Sequence, residues 1–249
     1  MSSQSNKSRE SRRDARDRLA AQREAQKSAD ARRERMFRIG IIAVVLVLVA
    51  GITALIAWNN RIASDFATPP SARDDGAIVV GTSGPEMALF EDFQCPACAQ
   101  FEAASGETVT ELAANGDAIT AYYMLSFLDG NLGNDSSARA ANASGCADES
   151  GKFVEYHGTV YANQPEVEGT GYTDEQLKDF AAQVGIEGDA KTEFDACVDE
   201  NRYSEWVRQV GKSGRDLGIT STPTVTVDGE EIPREQYTPE GLREAVGAQ

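Results

Sequence analysis

Histidine is nearly missing from this chain: His157 is the single one in 249 residues. No Gly-rich phosphate loop, serine-nucleophile motif or carboxylate–histidine cluster can be read along it, so those routes to phosphate binding and hydrolysis have no support. His157 itself is expected to be a solvated imidazole in a helical stretch. Basic residues are scarce beyond the first 38 positions. That segment carries 12 Lys and Arg against 6 Asp and Glu, a net of +6; the remainder carries 12 against 34, a net of -22. So acidic a body lacks the footprint that neutralises phosphates, and nucleic acid is not an expected partner. Cysteine is sparse too, with four residues, all in the acidic part. With 41% hydrophobic and 26% charged residues, the chain is neither a disordered acidic tail nor a polytopic membrane protein.

One long apolar run stands out. Residues 39–58, IGIIAVVLVLVAGITALIAW, contain no charge. As a helix they would extend roughly 30 Å, the hydrocarbon thickness of a bilayer. Arg35 and Arg38 precede the run, Arg61 follows it, and Trp58 sits where an interfacial aromatic belongs. A cleaved signal peptide is the rival reading, but its apolar core is usually ~7–15 residues and its cleavage site needs small residues. The run is longer, and Ala54–Ala57 fits such a site badly. A single-pass, uncleaved anchor is therefore expected. The basic excess before it puts the N-terminus in the cytoplasm and the acidic body outside. The arginine pairs at 12–13 and 32–33 are poorly placed for a twin-arginine export signal. Residues 1–38 read as a basic cytoplasmic tail and 59–76, with Pro69-Pro70, as a linker.

The 173 residues from Ala77 onward suffice for one domain with a real core. Short apolar strands are expected at 77–80 and 87–90, a helix at 97–115 ending before Gly116, and a strand at 118–127. A stretch of helical composition, 136–216, follows, broken by turn signals. Residues 224–232 form a hairpin signal around Asp228-Gly229. A closing helix at 239–246 has Thr238 as N-cap and Pro239 at its first position. The order implies an α/β arrangement with a helical insertion at about 130–215. Trp206 and the Tyr122–Tyr123 pair are expected in the core or lining a groove.

Cys95-Pro96-Ala97-Cys98 lies between an expected strand and the helix that follows. Backbone N–H groups and the dipole at a helix start stabilise an anion, so Cys95 should be more acidic than a free cysteine. Two cysteines three apart also close a small disulfide. Cys98, one turn in, would be the more buried partner. Zinc would need two further ligands, which Cys146, Cys197 and His157 do not offer at suitable spacing. Redox use of Cys95 and Cys98 is the reading; a static bond is the alternative, and neither metal nor cofactor is expected. Cys146 and Cys197 fit a structural disulfide in an extracytoplasmic domain, with a second redox pair or two free thiols as alternatives.

FEDFQCPACAQFE, a helical block, GITSTPTVTVDGEEI and a final short helix together resemble the DsbA-like thiol–disulfide oxidoreductases of the thioredoxin superfamily, over roughly residues 77–249. The resemblance implies a thioredoxin fold with an inserted helical domain. It implies a cis Thr222–Pro223 bond facing Cys95, in a loop that binds an extended substrate segment. Membrane-anchored or secreted bacterial members often carry a second cysteine pair, which matches Cys146 and Cys197. It further implies exported protein thiols as substrates and a quinone-linked membrane partner for reoxidation. Two departures stand out. The family's best-known oxidase has histidine at the second position between the cysteines, where this chain has Ala97. The buried acid six residues before the first cysteine is replaced by Leu89. Glu91 and Asp92 are close, but as charged neighbours they would raise the pKa of Cys95. An oxidase of exported proteins is the expected activity; a reductase or isomerase using the same site, or a non-catalytic membrane-tethered peptide-binding module, are the alternatives.

Overall fold

The computed structural model describes Met36, residues 47–53 and residues 66–248. Residues 47–53, part of the apolar run, are helical and exposed. The rest of the expected span at 39–58 lies outside the described residues. No helix among the described residues is long and apolar enough to cross a membrane. The chain divides into two units, residues 1–65 and 66–249, and the second contains the sheet and all four cysteines.

Five strands form one mixed sheet in the order β1-β3-β2-β4-β5: β1 (Ile78–Val80), β2 (Glu86–Asp92), β3 (Ile119–Leu125), β4 (Thr224–Val227) and β5 (Glu230–Glu231). β2 runs parallel to β3 and antiparallel to β4, with Glu91 opposite Met124 and Leu89 between Tyr122 and Val225. As the central strand it is buried along nearly its whole length. Helix α1 (Pro96–Asn115) connects β2 to β3. Pro96 occupies its first turn, where a missing N–H costs nothing, and Gly116 ends it in the left-handed conformation at φ 78°. Its buried residues Phe101, Ser105, Thr108, Val109 and Leu112 recur at helical spacing against the sheet.

Six helices lie between β3 and β4: α2 (Phe127–Leu132), α3 (Ser136–Glu149), α4 (Phe153–Ala162), α5 (Asp174–Gln183), α6 (Gly188–Asp199) and α7 (Ser204–Asp216). Asp228 and Gly229 both adopt positive φ, the geometry a tight primed turn requires, and join β4 to β5. Helix α8 (Pro239–Ala245) closes the chain, its Thr238 side chain accepting from the Gly241 N–H.

Small residues govern the packing of α3. Its Ala, Ser and Gly side chains are almost all buried, and a Cβ on Gly145 would stand 3.0 Å from Pro69 and Tyr203. Trp206 of α7 fills this contact, fully buried, with its indole N–H donating to the Gly76 carbonyl at 2.9 Å. Tyr122 and Tyr123 are buried in the core.

The expected linker at 59–76 needs correcting at its C-terminal end. Residues 66–76 belong to the folded unit: Pro69 is buried, the Ser71 N–H donates to Asp148 Oδ2 at 2.7 Å, and Ala72 bridges to Ile78. A Pro-Pro pair is compatible with an extended stalk and with an ordered strap alike, and only the partner surface on α3 and α7 decides between them.

Cys146 of α3 and Cys197 of α6 are disulfide-bonded across a sequence separation of 51. A loop of that length contributes roughly 4 kcal/mol on the chain-entropy model. Replacing both with serine is expected to lower the unfolding free energy by up to about that amount, read from denaturant titrations of variant and parent.

Candidate active site

The backbone turns from β2 into α1 at residues 92–95, and polar side chains hold that turn. The buried Asp92 carboxylate accepts from the Gln94 N–H at 2.9 Å, the Leu128 N–H at 3.0 Å and the Ser137 hydroxyl at 2.6 Å. Burial pushes Asp92 up to about 6, and these three donors hold it from rising further. From the insertion, the Gln164 amide donates to the carbonyls of Phe93 at 2.8 Å and Cys95 at 3.0 Å. The Tyr172 hydroxyl also lies 3.1 Å from the Phe93 carbonyl. The helical insertion therefore fixes the loop that carries the first cysteine.

Cys95 is the N-cap residue of α1. It retains 8% exposure, whereas Cys98, one turn in, has none. Pro96 is exposed and Ala97 half-buried, so the first cysteine sits at a narrow opening. The Thr222–Pro223 bond is cis, and the Cys95 sulfur lies 3.5 Å from the Thr222 carbonyl oxygen, to which the thiol donates. Hydrogen bonding from the Cys98 thiol brings the Cys95 thiol down to about 5; Thr222 and the N–H groups of Cys98 and Ala97 add to this, and burial opposes it. Burial, with the neighbouring Cys95, pushes Cys98 well up. Two sulfurs three residues apart thus differ sharply in acidity.

Beneath the cysteines the structure assembles what the sequence did not reveal. His157 of α4 is buried, 2% exposed, not the solvated imidazole expected of it. Its Nε2 lies 2.9 Å from Glu91 Oε2, and its Nδ1 lies 3.7 Å from Glu102 Oε2. A carboxylate–histidine cluster therefore exists, built from β2, α1 and α4. Burial raises Glu91 well above the usual carboxylate range, aided by Cys95, and lowers His157, against which Glu102 acts. Burial thus disfavours the charged form of both partners of this 2.9 Å hydrogen bond. Burial also pushes Glu102 up to about 8. Burial therefore works against the charge at Glu91 that its position near Cys95 implied. One signal for the cluster was legible: Cys98, Glu102 and Gly106 fall at i, i+4, i+8 on one face of α1.

A family model described as thioredoxin matches residues 75–248. The chain belongs to the thioredoxin family. It is similar in structure to MdbA, a thiol–disulfide oxidoreductase from Actinomyces oris, with TM-score 0.64 and 24% identity over 74% of this chain and 93% of that one. Oxidised DsbA from Mycobacterium tuberculosis aligns with TM-score 0.57 and 27% identity over 69% and 93%. Oxidised BdbD from Bacillus subtilis aligns with TM-score 0.60 and 19% identity over 74% and 97%. No curated protein sequence matches the chain significantly. Within the thioredoxin fold of this chain, the cysteine pair opens the helix after the central strand, and the cis-proline loop stands directly beside it.

The acidity of Cys95 has a sign that can be measured. A thiol with its folded pKa depressed contributes stability that is fully present above the free-thiol value of about 8.5 and is lost as pH falls through about 5. Reduced protein is therefore expected to lose stability relative to the oxidised form between pH 8 and pH 5, seen by melting both forms across that range. Iodoacetamide should alkylate Cys95 with a midpoint near pH 5 while Cys98 stays unreacted. A midpoint near 8.5 would mark Cys95 as an ordinary thiol.

Proposed function

We propose that the chain is an extracytoplasmic thiol–disulfide oxidoreductase that oxidises cysteine pairs of exported proteins, with Cys95 and Cys98 as its catalytic residues. The observation that carries this reading is the acidic, partly accessible Cys95 at the start of α1 beside the Thr222–Pro223 loop. The M. tuberculosis relative named DsbA supports the same class of chemistry.

In the oxidised enzyme a substrate thiolate attacks the Cys95 sulfur of the Cys95–Cys98 bond. The bond breaks, and Cys98 leaves with the electron pair and takes a proton. A second substrate thiolate then attacks the substrate-side sulfur of the mixed disulfide and expels Cys95 as a thiolate. Two electrons have moved from the substrate pair, now a disulfide, to the enzyme pair, now a thiolate and a thiol. Because Cys95 is acidic, it leaves readily and the reduced enzyme is stabilised, which drives the reaction toward substrate oxidation.

Thr222 and Pro223 form the substrate-binding loop in this reading, with Thr222 half-buried and Ser221 exposed at its edge. Pro96, which is exposed, and Ala97 complete the redox motif. Cys146 and Cys197 serve as a structural staple across α3 and α6. Residues 39–58 anchor the protein in the cell membrane as a single-pass segment, with the basic tail in the cytoplasm and the catalytic domain outside. Anchoring keeps the domain beside a quinone-linked membrane partner that accepts the two electrons.

Cys95→Ser is expected to reduce oxidation of a reduced test peptide to the uncatalysed background. Cys98→Ala, offered an oxidised test peptide, is expected to attack its disulfide through the Cys95 thiolate, release one peptide thiolate and accumulate a mixed disulfide that no second enzyme thiol resolves. Equilibration with glutathione should give a reduction potential nearer the roughly -120 mV of strong oxidants than the roughly -270 mV of thioredoxin. A value close to the latter would reverse the direction, and peptide oxidation that survives Cys95→Ser would remove the catalytic reading altogether.

A further inference from the structure

Three of the four buried side-chain polar atoms without a hydrogen-bond partner among the described residues belong to one small region. They are Glu91 Oε1, Glu102 Oε1 and the Tyr161 hydroxyl. Glu91 and Glu102 approach His157 from opposite ring nitrogens, and Tyr161 packs its ring edge-on against the same imidazole, centroids 5.0 Å apart. Leaving a buried polar atom unsatisfied costs about 1–3 kcal/mol, so three together require a physical reason. Among the described residues neither glutamate pairs with a lysine or arginine; the only charged or chargeable partner of each is His157.

One ligand atom from each of Glu91, Glu102 and His157 can be chosen so that all lie within 4.8 Å of one another. A metal with bonds of about 2.0–2.2 Å to nitrogen and oxygen spans ligands up to about 4 Å apart, so small side-chain rotations close the remainder. The surroundings leave room for this. An open cleft of about 690 Å³ between α1 and α4 is lined by Glu102, Gly106, Tyr122, His157, Gly158 and Tyr161. A Cβ at position 106 would overlap Glu102 Oε2, so glycine there is what lets the carboxylate fold back toward His157.

We infer that Glu91, Glu102 and His157 form a binding site for a first-row divalent cation of the Zn²⁺ class, open to the cleft between α1 and α4. The donor set decides the class. One imidazole and two carboxylates suit zinc, manganese or iron, whereas an imidazole is a poor ligand for calcium or magnesium. Three protein ligands leave a coordination position facing the cleft, where water completes the shell. Two carboxyl groups buried without a lysine or arginine beside them lack a positive partner among the described residues, and the ion would supply it. The three ligands come from the central strand, from the helix that carries the cysteines and from the insertion, so the ion would tie these parts together. This site does not depend on the redox reading, and either can fail alone.

The test uses full-length protein with both cysteine pairs oxidised, so that no thiolate can capture metal. Excess Mg²⁺ occupies the exposed acidic surface. After chelator treatment, titration with Zn²⁺ is expected to show one saturable site and a rise in melting temperature. Co²⁺ is expected to give the visible absorption bands of a low-symmetry nitrogen–oxygen site. Glu102→Gln and His157→Gln should each weaken binding at least tenfold, and Gly106→Ala should weaken it by displacing Glu102. If His157→Gln fails to fold, Glu102→Gln, at the cleft wall, decides alone. Oxidised protein that binds neither ion at a saturable site, or Glu102→Gln protein that binds as the parent does, overturns the inference.

Discussion

The chemistry of this protein depends on one hydrogen-bonded turn. Residues 92–95 must hold Cys95 at the head of α1 with its sulfur toward Thr222, and nothing within the turn itself is sufficient for that. The donors to Asp92 and the acceptors of Gln164 and Tyr172 come largely from the helical insertion and the loop it grips. A C-x-x-C segment in a free peptide has the same atoms but no such restraint, and its thiolate would sample the unfavourable positions as often as the favourable one. The insertion therefore contributes to reactivity by fixing a backbone, without placing a side chain on the sulfur.

That dependence explains how the insertion is built. Its helices are individually weak: α2 has six residues and α4 and α5 have ten each, too short for stability in water alone. They are held by close packing of the small residues of α3, by Trp206 filling the contact at Gly145, and by a covalent link from α3 to α6. Residues 66–76 wrap the same face, with Gly76 receiving the Trp206 indole N–H. Rigidity is thus concentrated where α3 meets its neighbours, and Ser136 and Ser137 at the N-terminal end of α3 pass it to Tyr172 and Asp92.

Local signals were legible wherever a backbone geometry demands one residue type. Pro96 at a helix start, Gly116 at its end, Asp228-Gly229 in a hairpin and Thr238 before a short helix each announce themselves, and each element stands within a few residues of its expected place. Burial of polar residues was not legible. The sequence of α3 reads as polar, yet Ser136, Ser137, Asn142 and Ser144 are buried, because a small hydroxyl can return its bond to nearby backbone or side chains. His157 was misjudged for a related reason: its environment comes from β2 and α1, more than fifty residues away in sequence. Glu91 was read only as a charged neighbour of Cys95 and not as a partner of His157, because a central strand is covered on both faces and alternation carries no information about which side chains point inward. The apolar run at 39–58 is a different case, since most of it lies outside the described residues.

Glu91 and Cys95 compete for one negative charge. Each disfavours ionisation of the other, and either could in principle be the anion near neutral pH. The outcome follows from their environments. Cys95 retains contact with solvent, and its thiolate is favoured by hydrogen bonding from the Cys98 thiol, from the Thr222 side chain and from the N–H groups of Cys98 and Ala97. Glu91 is fully buried, with one oxygen hydrogen-bonded to the His157 imidazole and the other without a partner among the described residues. Burial therefore disfavours the charge on the carboxyl, while hydrogen bonding favours it on sulfur. An acid buried beside a thiolate ordinarily works against it. Here the depth of burial that makes Glu91 costly to ionise works in favour of the thiolate.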